Sequence, residues 1–339
     1  MSRIVLTEEV STLRPLISDL ASRYDSAEDT GLLMECAVLA HELPRDLRAA
    51  LLRFKLTEPA SGLLVISGFP IAEDGIGATP EHWQRPEGVR STALEYEILL
   101  LLAGSLLGDL FGWATQQGGR IVHDLLPIKG LEQEQIGTGS EQTIWWHTED
   151  AFHPLRGDYV GMLCLRNFDR VPTTIASLEN LGLADEDWEM LFQPLYTIRP
   201  DNSHQKTNAA DPDAEGELDQ LYHGIEEMQR SPEKISILSG DPGSPYIRID
   251  PYFMDSPADP RAERALGALI KAIDAELREL VLEPGDICFM DNFKVVHGRR
   301  GFKARYDGRD RWLKRVNITR DLRKSRSGRG EAIARVILQ

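Results

Sequence analysis

From Ile121 onward the chain is cut into short strand-like runs separated by turn residues, and this constrains its fold more than any other feature. Tyr159–Leu165, Tyr196–Arg199, Ile235–Leu238, Tyr246–Ile249, Asp286–Met290 and Leu313–Thr319 are all too short for globular helices and rich in β-branched or aromatic residues. A series of short strands has to close on itself or stack as two sheets, because each strand alone buries only one face. The opening third reads differently. Leu33, Cys36, Ala37, Ala40 and His41 recur at helical spacing, Pro44 opens a helix through Leu47, Leu51 and Leu52, and Glu95–Leu110 is a further helix. Between them Gly62–Gly68 encloses a short apolar run, the mark of a buried strand. One helix interrupts the later strands: Leu266, Leu269, Ile270, Ile273, Leu277 and Leu280 make an apolar stripe on Ala262–Leu280. The expectation is a mixed, mainly β fold, a jelly roll with helices packed outside it.

No internal repeat or low-complexity linker divides the 339 residues, so they read as one domain. Residues 1–110 form a mainly helical part, 111–323 the jelly-roll core, and 324–339 a C-terminal tail. Asn202–Arg230 is polar with few apolar anchors, which predicts a mobile loop, a lid over the mouth of the barrel. No apolar run approaches the roughly 20 residues of a membrane span, and the start lacks a secretory pattern. The three cysteines, Cys36, Cys164 and Cys288, lie unpaired in apolar surroundings, which suits reduced thiols in a cytoplasmic protein. Net charge is −16, but Arg299 to the end holds 14 Lys and Arg against 4 Asp and Glu, leaving −26 on the remainder. The basic stretch is interleaved with Trp312, Leu313, Val316 and Ile318, so it reads as folded structure and not as a nucleic-acid-binding arm. The acidic remainder opposes a phosphate-rich partner and favours a cationic small molecule. Assembly into a homo-oligomer is left open.

The first chemical signal is Trp146-His147-Thr148-Glu149-Asp150. In an extended segment residues two apart share a face, so His147 and Glu149 can converge on one ion. His297, at the end of a predicted strand, supplies a third ligand. Two histidines and a carboxylate on one face leave coordination positions open, the arrangement of non-haem Fe(II) oxygenases. Arg311 and Arg315 lie four apart on an alternating run, which puts both on one face while Trp312, Lys314 and Val316 point the other way. Buried guanidinium groups need anions, either structural carboxylates or a dicarboxylate cosubstrate and an amino-acid carboxylate.

These blocks resemble the clavaminate synthase-like oxygenases, in particular the branch that hydroxylates free basic amino acids. The likeness runs from 146–154 through Phe111–Gln117, Leu126–Gly130, Ile198–His204 and Val296–Arg300 to Tyr306–Arg315. It implies a double-stranded β-helix with Fe(II) on His147, Glu149 and His297, and it implies 2-oxoglutarate and O2 as cosubstrates. It further implies that Arg311, helped by Thr174, grips the distal carboxylate of 2-oxoglutarate. By the same resemblance Arg315 takes the substrate carboxylate, Gln116 and Glu149 face its α-amino end, and Asp201 and Asp250 face its cationic side chain. Tyr252 stands where the arginine-specific pattern has a third acidic residue. Fewer carboxylates and an aromatic wall suit a compact ammonium better than a five-donor fork. The expectation is therefore hydroxylation of L-lysine at C3 or C4, with L-arginine as the alternative. A non-catalytic amino-acid-binding module on the same fold is the reading from a different class.

Overall fold

Side chains along the strands divide between separate apolar interiors, and that division sets the architecture. The computed structural model describes residues 2–86, 88–179, 181–206 and 217–338. The helical first third holds β1 (Ser2–Val5), α1 (Glu9–Arg23), α2 (Thr30–Leu39), α3 (Arg45–Thr57), β2 (Leu63–Ser67), the one-turn α4 (Glu73–Ile76) and α5 (Leu94–Ser105). Then come β3 (Asp109–Trp113), β4 (His123–Leu125), β5 (Ile144–His147), β6 (Tyr159–Arg166), β7 (Thr173–Ser177), α6 (Asp185–Leu191) and α7 (Glu217–Arg230). The chain continues with β8 (Leu238–Ser239), β9 (Tyr246–Ile247), α8 (Pro260–Glu276), β10 (Arg278–Leu280), β11 (Ile287–Asp291), β12 (Val295–Arg299), β13 (Trp312–Thr319) and β14 (Val336–Ile337).

The major sheet runs β1-β2-β11-β6-β13-β3-β14, with β4 also on β13, and the minor sheet runs β10-β7-β12-β5. Leu63 and Val65 of β2, Met162 and Cys164 of β6, Cys288 and Met290 of β11 and Leu313 of β13 share one apolar cluster with Ile175 of β7 and Val295 of β12. Those residues are the layer between the sheets. Their alternate neighbours, Leu64, Ile66, Leu163, Leu165, Ile287, Phe289, Val316 and Ile318, pack outward into the helices of the first third. On the minor sheet, Ala176, Val296 and Trp146 pack outward against a core that includes Leu269 and Ile273 of α8. The Trp146 Nε1–H donates to Asp274 of α8 at 2.7 Å, which fixes the strand that carries His147.

Four readings of local structure need correction, the first being the Glu95–Leu110 helix, which ends at Ser105 and leaves Leu110 on β3. Helix α8 starts at a proper cap, the Asp259 carboxylate accepting from Arg261 N at 2.8 Å with Pro260 in the first turn, but it stops at Glu276. Leu280, which continued the helical stripe in sequence, lies instead on β10, where Arg278 pairs with Ile175 and Leu280 with Thr173. Tyr196–Arg199 and the 235–238 run are not full strands; Tyr196 and Ile198 make single bridges to Ile235 and Met254. Within 202–230, residues 217–230 are helix α7 and not loop: Tyr222 and Ile225, three apart, are buried, and the Tyr222 hydroxyl donates to Thr115 O at 3.2 Å. Of the remainder, Asn202–His204 form a 3-10 turn with His204 fully buried, and 207–216 lie outside the described residues.

The three cysteines are free and buried, and burial raises each thiol's pKa. The basic C-terminal stretch is folded, since Lys314 is fully buried and Val336–Ile337 pair in parallel with Gly112–Trp113. Among the described residues no helix is long and apolar enough to cross a membrane.

Candidate active site

Strand β12 lies between β7 and β5, and its register places His297 directly opposite His147. The two rings have centroids 4.8 Å apart. His297 is therefore mid-strand and not at a strand end. Glu149 is not on a continuous extended strand either: β5 ends at His147 and the chain turns, with Asp150 at φ 51°. Asn292 holds that turn, accepting from Glu149 N at 2.7 Å and donating to Glu149 O at 3.0 Å and Gly157 O at 2.9 Å. The turn brings Glu149 Oε2 to 3.2 Å from His297 Nε2 and 3.7 Å from His147 Nε2. One ligand atom from each of the three residues lies within 4.8 Å of the others. His147 Nδ1 faces Trp145 O at 2.8 Å, which aims Nε2 at the shared point.

The electrostatics suit a cation. Burial would raise the Glu149 carboxyl, but the Arg315 guanidinium beside it and hydrogen bonds from both histidines hold it well below the usual range. Burial would lower His147, yet Glu149 and Asp250 outweigh it and raise its pKa to about 9, while burial leaves His297 below its ordinary value. A proton on His147 thus sits where a divalent ion would place more charge, and two imidazoles with one carboxylate fit Fe(II).

Arg311 and Arg315 both face the cavity, and Lys314 points away from it, ion-paired to Glu97 at 2.7 Å and to Asp124. Arg311 is buried, its Nε has no hydrogen-bond partner, and burial lowers its pKa to about 10. No carboxylate among the described residues neutralises it. Thr174 stands on the wrong side of β7 to help: its neighbour Thr173 lines the cavity, on the same face as the inward Ile175, whereas Thr174 is on the face of Ala176 against Gly298. Arg299, opposite Thr173, also lines the cavity and donates to the carbonyls of Gly139, Ser140 and Gln142.

Arg315 pairs with Glu149 and donates through Nη2 to Gln116 Oε1 at 3.0 Å and to His123 Nδ1 at 2.7 Å. Burial and the adjacent Arg315 push His123 well below its ordinary pKa, so it is a neutral acceptor. At the other end, Asp201, Asp250 and Tyr252 all line the cavity. Burial raises Asp250 to about 6, with Asp201 adding to the shift. Tyr252 is 49% exposed and meets Trp145, also 49% exposed, with ring centroids 6.3 Å apart. It sits at the rim and does not wall off the interior.

Sequence reasoning passes over Asn292, Asp150, His204, His123, Arg299 and Trp145. Trp145 had a legible signal, since it is two residues before His147 on the same strand. The histidines His123 and His204 had none, because their partners are remote in sequence.

Residues 183–317 match the family model described as taurine catabolism dioxygenase TauD, TfdA family. This stretch includes His297, Arg311 and Arg315. Over 99% of its length the chain is 46% identical to an L-ornithine/L-arginine 3-hydroxylase of Catenulispora acidiphila, all of which is covered. It is 45% identical to an enduracididine beta-hydroxylase of Streptomyces hygroscopicus over 97% of each chain. An L-lysine 3-hydroxylase of the same Catenulispora strain is 30% identical over 96% of this chain and 86% of its own. The crystal structure of the non-heme iron oxygenase OrfP in complex with Fe, succinate and (3S)-hydroxy-L-Arg superposes with a TM-score of 0.94 at 42% identity, covering 99% of this chain and 100% of that one. With a donor set that fits iron and a buried arginine that fits a dicarboxylate, the chain belongs to the TauD/TfdA family, in its clavaminate synthase-like branch, and is an Fe(II)- and 2-oxoglutarate-dependent dioxygenase that hydroxylates free basic amino acids with O2.

Proposed function

We propose that the substrate is L-arginine or a close arginine-type amino acid, hydroxylated at C3. The lysine expectation rested on Tyr252 filling the space of a third carboxylate. Tyr252 lies half-exposed at the rim beside Trp145, while Asp201 and Asp250 line the same cavity and are left to face a guanidinium. That observation carries the reading. A planar guanidinium lies flat on an aromatic face with more contact than a compact ammonium makes there. The relatives at 45–46% identity, named for ornithine, arginine and enduracididine, support it over lysine, and C3 is taken by analogy with their names, 3-hydroxylase and beta-hydroxylase.

In this reading His147, Glu149 and His297 hold the iron, which with 2-oxoglutarate supplies the oxidising chemistry when bound. Everything else is placement. Arg311 takes the distal carboxylate of 2-oxoglutarate, with Thr173 as the hydroxyl beside it in place of Thr174. Arg315 exchanges its neutral acceptors, Gln116 and His123, for the substrate α-carboxylate, a stronger partner. Gln116 and Glu149 face the α-amino group, and Asp201 and Asp250 hold the cationic end. The two-sheet core is read as a double-stranded β-helix in one domain over 1–339.

Two expected results test this. With Fe(II), ascorbate and 2-oxoglutarate, arginine and ornithine should be turned over faster than lysine at equal low concentrations, read by succinate and by mass spectrometry of the amino acid. Lysine outpacing arginine would restore the earlier expectation. Arg311→Ala should raise KM for 2-oxoglutarate about ten- to a hundredfold, the worth of one charge-assisted pair of about 1.5–3 kcal/mol. Arg315→Ala should do the same to KM for the amino acid. An exchange of the two phenotypes would overturn the roles and leave the class intact.

A further inference from the structure

Asp150, the residue after Glu149, gathers much of the layer behind the site. It is buried and in the left-handed region at φ 51°, where few non-glycine residues sit without a reason. Its Oδ2 accepts from Trp113 Nε1 at 2.6 Å and Asn317 Nδ2 at 3.4 Å. Its Oδ1 accepts from His204 Nε2 at 3.0 Å and Gln116 Nε2 at 3.4 Å. His204 is fully buried, and its other ring nitrogen lies 2.7 Å from Thr115 Oγ1. Burial alone would lower the pKa of this ring, but the Asp150 hydrogen bond and the nearby Asp201 raise it.

His204 ends a single 3-10 turn, Asn202–His204, that Asp201 caps by accepting from Ser203 N at 2.8 Å. The Ser203 hydroxyl also bonds Asp201 and accepts from Gln116 Nε2 at 2.6 Å. A carboxylate oxygen from each of Asp150 and Asp201 and a ring nitrogen of His204 lie within 4.8 Å of one another. The turn that carries Asp201 is thus tied at two points to residues flanking Glu149 and Arg315. One tie, through Ser203, is exposed to exchange with substrate because Gln116 is a binding residue. The other, through His204, touches neither substrate nor metal ligand.

We propose that His204 is a positioning residue which, clamped between Asp150 and Thr115, sets the distance from the metal-binding turn to Asp201 and so selects the substrate carbon that is hydroxylated. The inference rests on the reading of Asp201 as a partner of the cationic side chain. A substrate held at its α-carboxylate by Arg315 and at its far end by Asp201 presents the carbon that this span dictates. Neighbouring carbons differ by about 1.5 Å, and misplacement by about 1 Å is enough to cost on the order of a hundredfold in rate. A rigid buried ring with both nitrogens engaged transmits that span better than a flexible side chain.

The test compares wild type, His204→Ala, His204→Gln and Thr115→Val, the last a milder cut should the alanine variant fold poorly. For each, one measures KM for arginine, succinate formed per hydroxylated product, the ratio of hydroxylation positions, KM for 2-oxoglutarate and the melting temperature. His204→Ala should raise KM for arginine about tenfold, one hydrogen bond to a charged group. It should release succinate in excess of product and yield a second regioisomer, with KM for 2-oxoglutarate within about twofold of wild type. Thr115→Val should show the same pattern more weakly, and His204→Gln, which keeps an amide donor and acceptor, should restore coupling. If the alanine and valine variants only melt earlier and keep wild-type coupling and product ratio, His204 is structural and the proposal fails. If wild type hydroxylates no basic amino acid, the substrate reading fails first and carries this one with it.

Discussion

His297→Ala should abolish turnover and iron retention together while leaving the fold in place. The loss should exceed the 10- to 100-fold that removal of an outer partner of a metal site costs, since a direct ligand goes. The fold should survive because the backbone of His297 keeps its pairing with β5 and β7, and its side chain meets Glu149 and His147 and not the apolar layers. Iron content after desalting, succinate formation and far-ultraviolet circular dichroism check the three parts. Near-wild-type, iron-dependent turnover by this variant would overturn the assignment of the triad.

Lys314→Met should be the most destabilising single change on β13. The Lys314 ammonium is fully buried, 2.7 Å from Glu97 and bonded to Asp124, which also accepts from Trp312 Nε1 at 2.7 Å. Arg85 reaches both carboxylates, at 3.0 and 3.1 Å, but its side chain is partly exposed and cannot replace a charge in the interior. Removing one member of a buried pair costs about 3–5 kcal/mol, because the remaining charges stay desolvated. Urea denaturation should show that loss, and the folded fraction should keep its KM for 2-oxoglutarate. The same network fixes a pH dependence. Burial would raise Glu97 and Asp124, but Lys314 together with Arg85, and at Asp124 also Arg120, outweighs it and holds both below their ordinary values of 4.5 and 3.8. Depressed carboxylates contribute stability above their unfolded pKa and lose it as pH falls through the folded one, so wild type should weaken in acid below about pH 4 more steeply than Lys314→Met.

Much of this was legible because strands alternate. The spacing of Arg311 and Arg315 put both on one face and Trp312, Lys314 and Val316 on the other, and the structure keeps that division. Thr174 came from the resemblance and not from spacing; two identical side chains in a row carry no phase, and the pairing of Thr173 with the cavity-lining Arg299 puts Thr173 on the inner face. His147 and Glu149 converge as expected, but through a turn held by Asn292, which lies 143 positions from Glu149 and has no local signature. Helix α7 was missed because its charged residues outnumber its anchors, although Tyr222 and Ile225 are one helical step apart. Tyr252 misled for a different reason: its identity was read correctly, but whether a ring walls a cavity or stands at its rim depends on the 250–252 turn and on Trp145, which no spacing encodes.

Strand β13, with Arg311 just before it, carries cavity-facing cations and the foundation lysine side by side. Change along this strand is therefore hemmed in from both faces, and a lineage exploring new substrates has little freedom there. Asp201 and Asp250 stand on irregular backbone outside the two sheets, beside a half-exposed Tyr252. Those short connections can drift without unseating the two sheets, so diversification of this scaffold toward other amino acids should accumulate in the turns around 201 and 250, while the strand behind the metal-binding residues stays nearly frozen.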